Sequence, residues 1–242
     1  MRGMTFLLGA LMTGTIQAST LTPFAAHYQV FEGGKEQGEA TLQLSSAGRG
    51  EWRYDMNVRG TSGLARIAGF EMQQSTVLRE QGERLTPVSA HSEGGVLFKH
   101  KVIDTVFDWT RREVRWTGDV KSDQRGPVAL RDDSVSGQAL NLLISRDLPA
   151  DMAVGDALHY HMVERGKAKE VAYVSRGEET IDVPAGRYTA QALTYDRGEG
   201  EHQKDTTVWI SRELGVPTPI RVLQREEGKD AFEMRLVRVE QR

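Results

Sequence analysis

The chain has 242 residues, enough for one large domain, and its 31 basic residues against 34 acidic ones leave a net charge of −3. No basic stripe with interleaved aromatics breaks that balance, so nucleic acid has no electrostatic footprint to follow. Cysteine is absent, which excludes disulfides, thiolate catalysis and cysteine-ligated metal, and also the lipidated cysteine that tethers exported proteins to a membrane.

At the N-terminus Arg2 precedes an apolar stretch from Phe6 to Ile16 that contains Leu7, Leu8, Leu11 and Met12. Ile16-Gln17-Ala18 then places a small residue before Ser19, the pattern of a cleavable export signal. The stretch is shorter than the roughly 20 apolar residues that a spanning helix needs. The expectation is a signal peptide over residues 1–18 and a single β-rich domain over residues 19–242. That domain would be periplasmic, soluble and without a lipid anchor.

After Thr20 the chain reads as short runs of alternating polarity. Ala40, Leu42 and Leu44 alternate with polar residues, as do Trp52, Tyr54, Met56 and Val58. Period-2 patterning puts one face in a core and the other in water. Glu32-Gly33-Gly34-Lys35 and Ala47-Gly48-Arg49-Gly50 read as hairpin turns. Gly60 to Phe70 is apolar and glycine-rich without alternation, and reads as a buried turn or a lip over a cavity, the buried turn preferred. Ile103, Thr105, Phe107 and Trp109 resume the alternation, and Val114 and Trp116 follow across a turn. The polar residues 119–131 form a long loop. Val135, Ala139, Leu142 and Leu143 recur at helical spacing, predicting one helix around 134–147, with Ser134 as N-cap and Pro149 ending the run. Leu158, Tyr160 and Met162, then Val171 and Tyr173, then Val208 and Ile210, and finally Phe232, Met234 and Leu236 complete the strands.

Short strands joined by tight turns pair antiparallel, because parallel pairs need long crossovers. The predicted fold is therefore all-β and mostly antiparallel: a strongly curved sheet, an open barrel or a sandwich, with one helix.

The second half carries Thr180-Ile-Asp-Val-Pro-Ala-Gly-Arg-Tyr-Thr-Ala, then Val208-Trp209-Ile210-Ser211, then Val216-Pro217-Thr218-Pro219-Ile220-Arg221-Val222. With Gly38, Leu85-Thr86-Pro87, Asp108-Trp109 and Asp133-Ser134 in the first half, the chain resembles the exported bacterial family catalogued as domain of unknown function 3108. The resemblance implies a periplasmic, sheet-dominated domain and supplies no mechanism. Its motifs are turn and core patterns: Pro184-Ala185-Gly186 is a tight turn with Gly186 at positive φ, and Pro217 and Pro219 imply a strand that begins at an edge or bulge.

Chemistry is sparse. His159 and His161 share a strand face, with His202 or Glu164 as a third partner for a metal, but two histidines fall short of a zinc site. Leu158, Tyr160 and Met162 take the core side and leave both rings toward solvent. No nucleophile elbow occurs around Ser62, Ser92 or Ser136, and no phosphate-cradling loop around Gly48 or Gly198. The acidic pairs Asp132-Asp133, Glu178-Glu179 and Glu226-Glu227 read as solvated turn charges. The expectation is no enzyme, no metal and no cofactor. What remains is a binding module for an amphiphilic envelope ligand, lipid or polymer, with Leu64, Ile67 and Phe70 at a cavity mouth and Trp109 or Trp116 inside. An envelope scaffold without a ligand is the alternative.

Overall fold

The computed structural model describes residues 21–96, 99–196 and 204–241. The export signal read over residues 1–18, His202 and the loop around Gly198 lie outside them. Eight strands run through the first half: β1 (Phe24–Glu32), β2 (Lys35–Gly48), β3 (Glu51–Gly60), β4 (Glu71–Gln81), β5 (Arg84–Val96), β6 (Lys99–Asp108), β7 (Glu113–Gly118) and β8 (Val128–Ala129). A short helix α1 (Gly63–Ile67) connects β3 to β4. The second half holds β9 (Ser134–Ser136), α2 (Leu140–Asp147), β10 (Ala157–Glu164), β11 (Lys167–Val183), β12 (Gly186–Asp196), β13 (Lys204–Ile210), β14 (Arg221–Glu226) and β15 (Lys229–Gln241).

All fifteen strands form one sheet, in the order β8 to β1, then β15 back to β9. β1 and β15 pair at its centre. From there the chain adds strand after strand to one edge until β8, crosses through residues 130–133, and starts the other edge at β9. Every pairing is antiparallel except β9 with β10, and that pair has the long connection through α2 that a parallel pair requires. Two stacked sheets are thereby ruled out.

The sheet curls until its ends meet, although β8 and β9 share no ladder among the described residues. The Thr76 hydroxyl on β4 donates to Gln138 Oε1 just beyond β9, at 3.2 Å. A small apolar cluster of Ala90, Phe107, Val114, Trp116, Leu130 and Val163 joins β5, β6 and β7 to β10 across the seam. The main core fills the concave side, where Leu42, Tyr54, Leu78, Val208, Val222 and Leu236 meet. The fold is an open barrel.

Helix α2 buries Leu140, Leu142, Leu143 and Ile144 in that core. Three of these are consecutive and cannot lie on one narrow stripe, so the buried face of α2 takes up about half of its circumference, with Asn141, Ser145, Arg146 and Asp147 only partly buried. The helix starts later than the sequence suggests. Ser134 is no N-cap: it lies in β9, where its Oγ accepts from the Arg131 amide at 2.8 Å. The 134–136 segment finds a partner in β10, far along the chain, and a single turn of 3-10 helix over 137–139 leads into α2. The end at Asp147, shortly before Pro149, agrees with the expectation.

The two prolines near 217 also behave differently. β14 is an interior strand between β13 and β15, and it begins only at Arg221. Pro217 and Pro219 precede the ladder and so owe it no amide. The segment is tied down by the buried Tyr28, whose hydroxyl reaches the Pro219 carbonyl and the Thr218 hydroxyl, both at 2.7 Å. Burial pushes the Tyr28 phenol well above its ordinary value, and the hydrogen bond with Thr218 offsets only part of that rise.

A candidate binding cleft at the open seam

Strand pairing places three rungs side by side on the concave face of β4, β5, β6 and β7. The deepest runs Thr76, Ala90, Thr105, Trp116; the next runs Gln74, Ser92, Ile103, Gly118; the outermost runs Met72, Gly94, Lys101. Facing them are Ser136, Gly137 and Gln138 from the β9 side, and Val163, Glu164 and Arg165 from the end of β10.

Between these walls lies a hollow of two parts that share Ser92, Ile103 and Arg165. The inner part, about 30 Å³, is floored by Trp116 and Phe107 and has room for a single water. The outer part is half open and about 330 Å³. Phe70, Met72 and Ile103 supply its apolar wall, and its space exists because Ser92 and Gly94 stand where larger side chains would fill the rungs. Around its mouth stand Lys101, Lys121 and Arg165, with one carboxylate, Asp119. Asp119 Oδ2 is already engaged, accepting from the Val102 amide at 2.9 Å.

The far wall is held by a close approach. Arg165 and Gly166 form the tight turn between β10 and β11, both at positive φ. A Cβ on Gly166 would collide with the backbone of Gln124, so only glycine lets this turn rest against the turn at 122–124. Arg165 is thereby carried to the cleft.

The residues singled out in the sequence are divided among these features. Phe70 lines the outer cleft and Trp116, buried, floors the inner hollow, so these two belong to one connected space. Trp109 packs beside the seam cluster and donates from Nε1 to the Pro87 carbonyl at 2.7 Å. Leu64 and Ile67 line neither part; they stand 78% and 72% exposed on α1. The Gly60–Phe70 segment is therefore no buried turn. It forms α1 because its backbone closes on itself, the Phe70 amide donating to the Ala65 carbonyl at 2.9 Å and the Gly60 amide to the Phe70 carbonyl at 2.8 Å. That closure leaves Leu64 and Ile67 pointing away from the core.

Lys101, Lys121 and Arg165 were not legible as site residues. Only Lys101 carries a faint signal, since it extends the alternation of Ile103, Thr105 and Phe107 by one more position on the same face.

The histidines build something else. His159 is exposed, whereas His161 Nδ1 lies 2.9 Å from Glu170 Oε1, which also accepts from Arg131 at 2.6 Å. The hydrogen bond from His161, and then the charges of Arg131 and His161, hold the Glu170 carboxyl below its usual range. Among the described residues no group of three His, Cys, Asp or Glu is placed to hold a metal. Glu178 and Glu179 lie in β11 rather than in a turn, and Glu179 accepts from Trp209 Nε1 at 2.6 Å. The arrangement at the seam suits non-covalent capture of an elongated apolar group with a polar end.

A single curled, unclosed sheet with a core helix defines the class, a β-barrel-like domain. Residues 23–236 match the family described as protein of unknown function (DUF3108), and the chain belongs to that family. The chain is similar in fold to a β-barrel-like protein of the domain of unknown function DUF1849 from Brucella abortus. That structure has 9% identity and a TM-score of 0.54, with 92% of this chain and 98% of that one covered. Weaker likenesses are a protein with a YmcC-like fold from Bacteroides fragilis and a lipoprotein from Parabacteroides distasonis. The first has 9% identity, a TM-score of 0.38 and coverage of 90% and 95%; the second 10%, 0.36 and 91% and 96%. No curated protein matches the sequence. Among the described residues no helix is long and apolar enough to cross a membrane.

Proposed function

We propose that the protein is an exported, periplasmic binding module that holds an amphiphilic envelope ligand, a lipid or a polymer segment, in the seam cleft, without catalysing a reaction. The observation that carries this reading is the half-open cleft of about 330 Å³ with Phe70, Met72 and Ile103 on its wall. That volume lies at the small end of ligand pockets, which run from about 300 to 1,000 Å³, and far exceeds a packing defect. The export component rests on Arg2, the apolar Phe6–Ile16 stretch and Ala18.

A neutral apolar fluorophore such as N-phenyl-1-naphthylamine tests the reading. The folded protein is expected to bind one equivalent, with energy transfer from tryptophan, and Ser92→Leu, which fills the cleft, is expected to abolish the signal. Absence of binding to the wild-type protein would overturn the carrier reading. One observation favours the alternative of an envelope interaction domain: Leu64 and Ile67 expose their side chains side by side on α1. If probe binding disappears in a Leu64→Ser/Ile67→Ser variant and persists in Ser92→Leu, the apolar site is α1 and the interaction reading replaces the cleft.

A further inference from the structure

The cleft's charge is as particular as its shape. The chain as a whole is acidic, yet three cations meet around this mouth. Lys101 stands on the concave row of β6, one rung outside Ile103. Lys121 comes from the segment after β7, and Arg165 from the turn between β10 and β11. None of the three has an ion pair or side-chain hydrogen bond among the described residues. Elsewhere on this surface arginines find carboxylates readily, as Arg79 does with Glu51, Arg131 with Asp133 and Arg187 with Asp182. Among the described residues the carboxylate lining the outer part is Asp119, which accepts from a backbone amide.

An unneutralised cation group directly beside an apolar wall complements a molecule that carries negative charge on one end and hydrocarbon on the other. We infer that the cleft takes a single-chain amphiphile with an anionic head, a carboxylate or a phosphate, its chain against Phe70, Met72 and Ile103 and its head among Lys101, Lys121 and Arg165. The inference rests on the carrier reading above and deepens it. The cleft is too small for a two-chain lipid to enter whole. A planar guanidinium at Arg165 suits two oxygens of one head, while the ammonium groups act as point charges. Lys101 stands one rung outside Ile103, so the chain lies inward of the head, along the wall from Lys101 toward Ile103.

The experiment is displacement of N-phenyl-1-naphthylamine from the full-length mature protein by dodecanoate, dodecyl phosphate, dodecanol, dodecyltrimethylammonium and inorganic phosphate, each below its aggregation threshold. At low salt the two anionic probes are expected to bind about tenfold tighter than dodecanol, with the cationic probe weakest, as charge-assisted contacts would give. The gap is expected to shrink at high salt as the exposed charges are screened. Lys101→Gln/Arg165→Gln, at two side chains with no ion pair or hydrogen bond among the described residues, is expected to bring the anionic probes down to the level of dodecanol. Equal binding of anionic and neutral probes, unchanged in the double variant, would overturn the anionic head while leaving the carrier reading standing. Failure of every chain-bearing probe would overturn both. Inorganic phosphate competing as well as dodecyl phosphate would show a site for free anions and overturn the inference.

Discussion

Glu233 on β15 is only 3% exposed, and it is kept charged by two arginines. Arg221 Nε donates to its Oε1 at 2.6 Å, and Arg235 grips both oxygens at 2.8 Å. Each arginine is also stacked, Arg221 over Trp209 at 4.6 Å and Arg235 over Phe31 at 4.3 Å, so the carboxylate fixes a polar ladder on the outer face of β1, β15, β14 and β13. Burial works against the charged form, but the hydrogen bonds from Arg235 and Arg221 outweigh it and hold the carboxyl below its ordinary 4.5. A depressed carboxylate contributes stability in full above the ordinary glutamate range and loses it as pH falls through the folded value, so this contribution fades only in acid. Glu233→Gln is expected to cost about 2 kcal/mol at neutral pH, less than a fully buried pair because both arginines are partly exposed. Thermal melts of the two proteins should therefore differ by several degrees at pH 7 and converge toward pH 3; an unchanged melting temperature at pH 7 would refute the ladder. Little of this ladder was visible in the sequence, where Glu233 is one acid in an alternating run. At the cleft, Phe70 and Trp116 could be singled out as large apolar residues near glycines and turns. Lys101, Lys121 and Arg165 could not, because they lie far apart in the chain and converge only once the sheet has curled.

At the level of elements, polarity alternation located most of the strands, because each buries one face and the period of 2 is written in consecutive residues. The turns were equally local. Pro184-Ala185 connects β11 to β12, with Val183 paired to Gly186 and Gly186 at φ 138°, as the spacing of proline and glycine implied. Gly186→Val should strain that backbone and cost on the order of 1 kcal/mol or more, whereas Ala185→Val at the adjacent loop position should cost clearly less. Equal melting temperatures for the two variants would contradict the turn geometry. Features set by distant partners were misread. Ser134 has the chemistry of an N-cap, yet β9 is drawn into a parallel pairing with β10 that no local pattern announces. Pro217 and Pro219 look like edge-strand residues, and in fact they sit ahead of an interior strand under the Tyr28 hydroxyl. Leu64 and Ile67 look like core or lip residues; the short hydrogen-bonded closure of α1 turns them to solvent.

For the whole molecule, the order of strands explains why a cleft exists where it does. Pairing β1 with β15 places them at the middle of the sheet and leaves β8 and β9 as its two edges, which share no ladder among the described residues. Apolar contact between Trp116, Phe107 and Val163 seals one stretch of that seam, and the glycine contact at Gly166 fixes another. Between and beyond them small residues leave the hollow open, with hydrocarbon on its wall and cations at its mouth. A closed barrel would have filled this space with ladder and side chains; an open one can admit an elongated ligand sideways through the gap between its edges. On the proposed function, this gap is expected to be occupied in the cell. Native mass spectrometry of the protein released from the periplasm without detergent tests it most directly. A mature chain beginning at Ser19 is expected to carry one small amphiphilic adduct, absent from a Ser92→Leu variant prepared the same way. The bare polypeptide mass for both proteins, or an adduct retained equally by the variant, would contradict it.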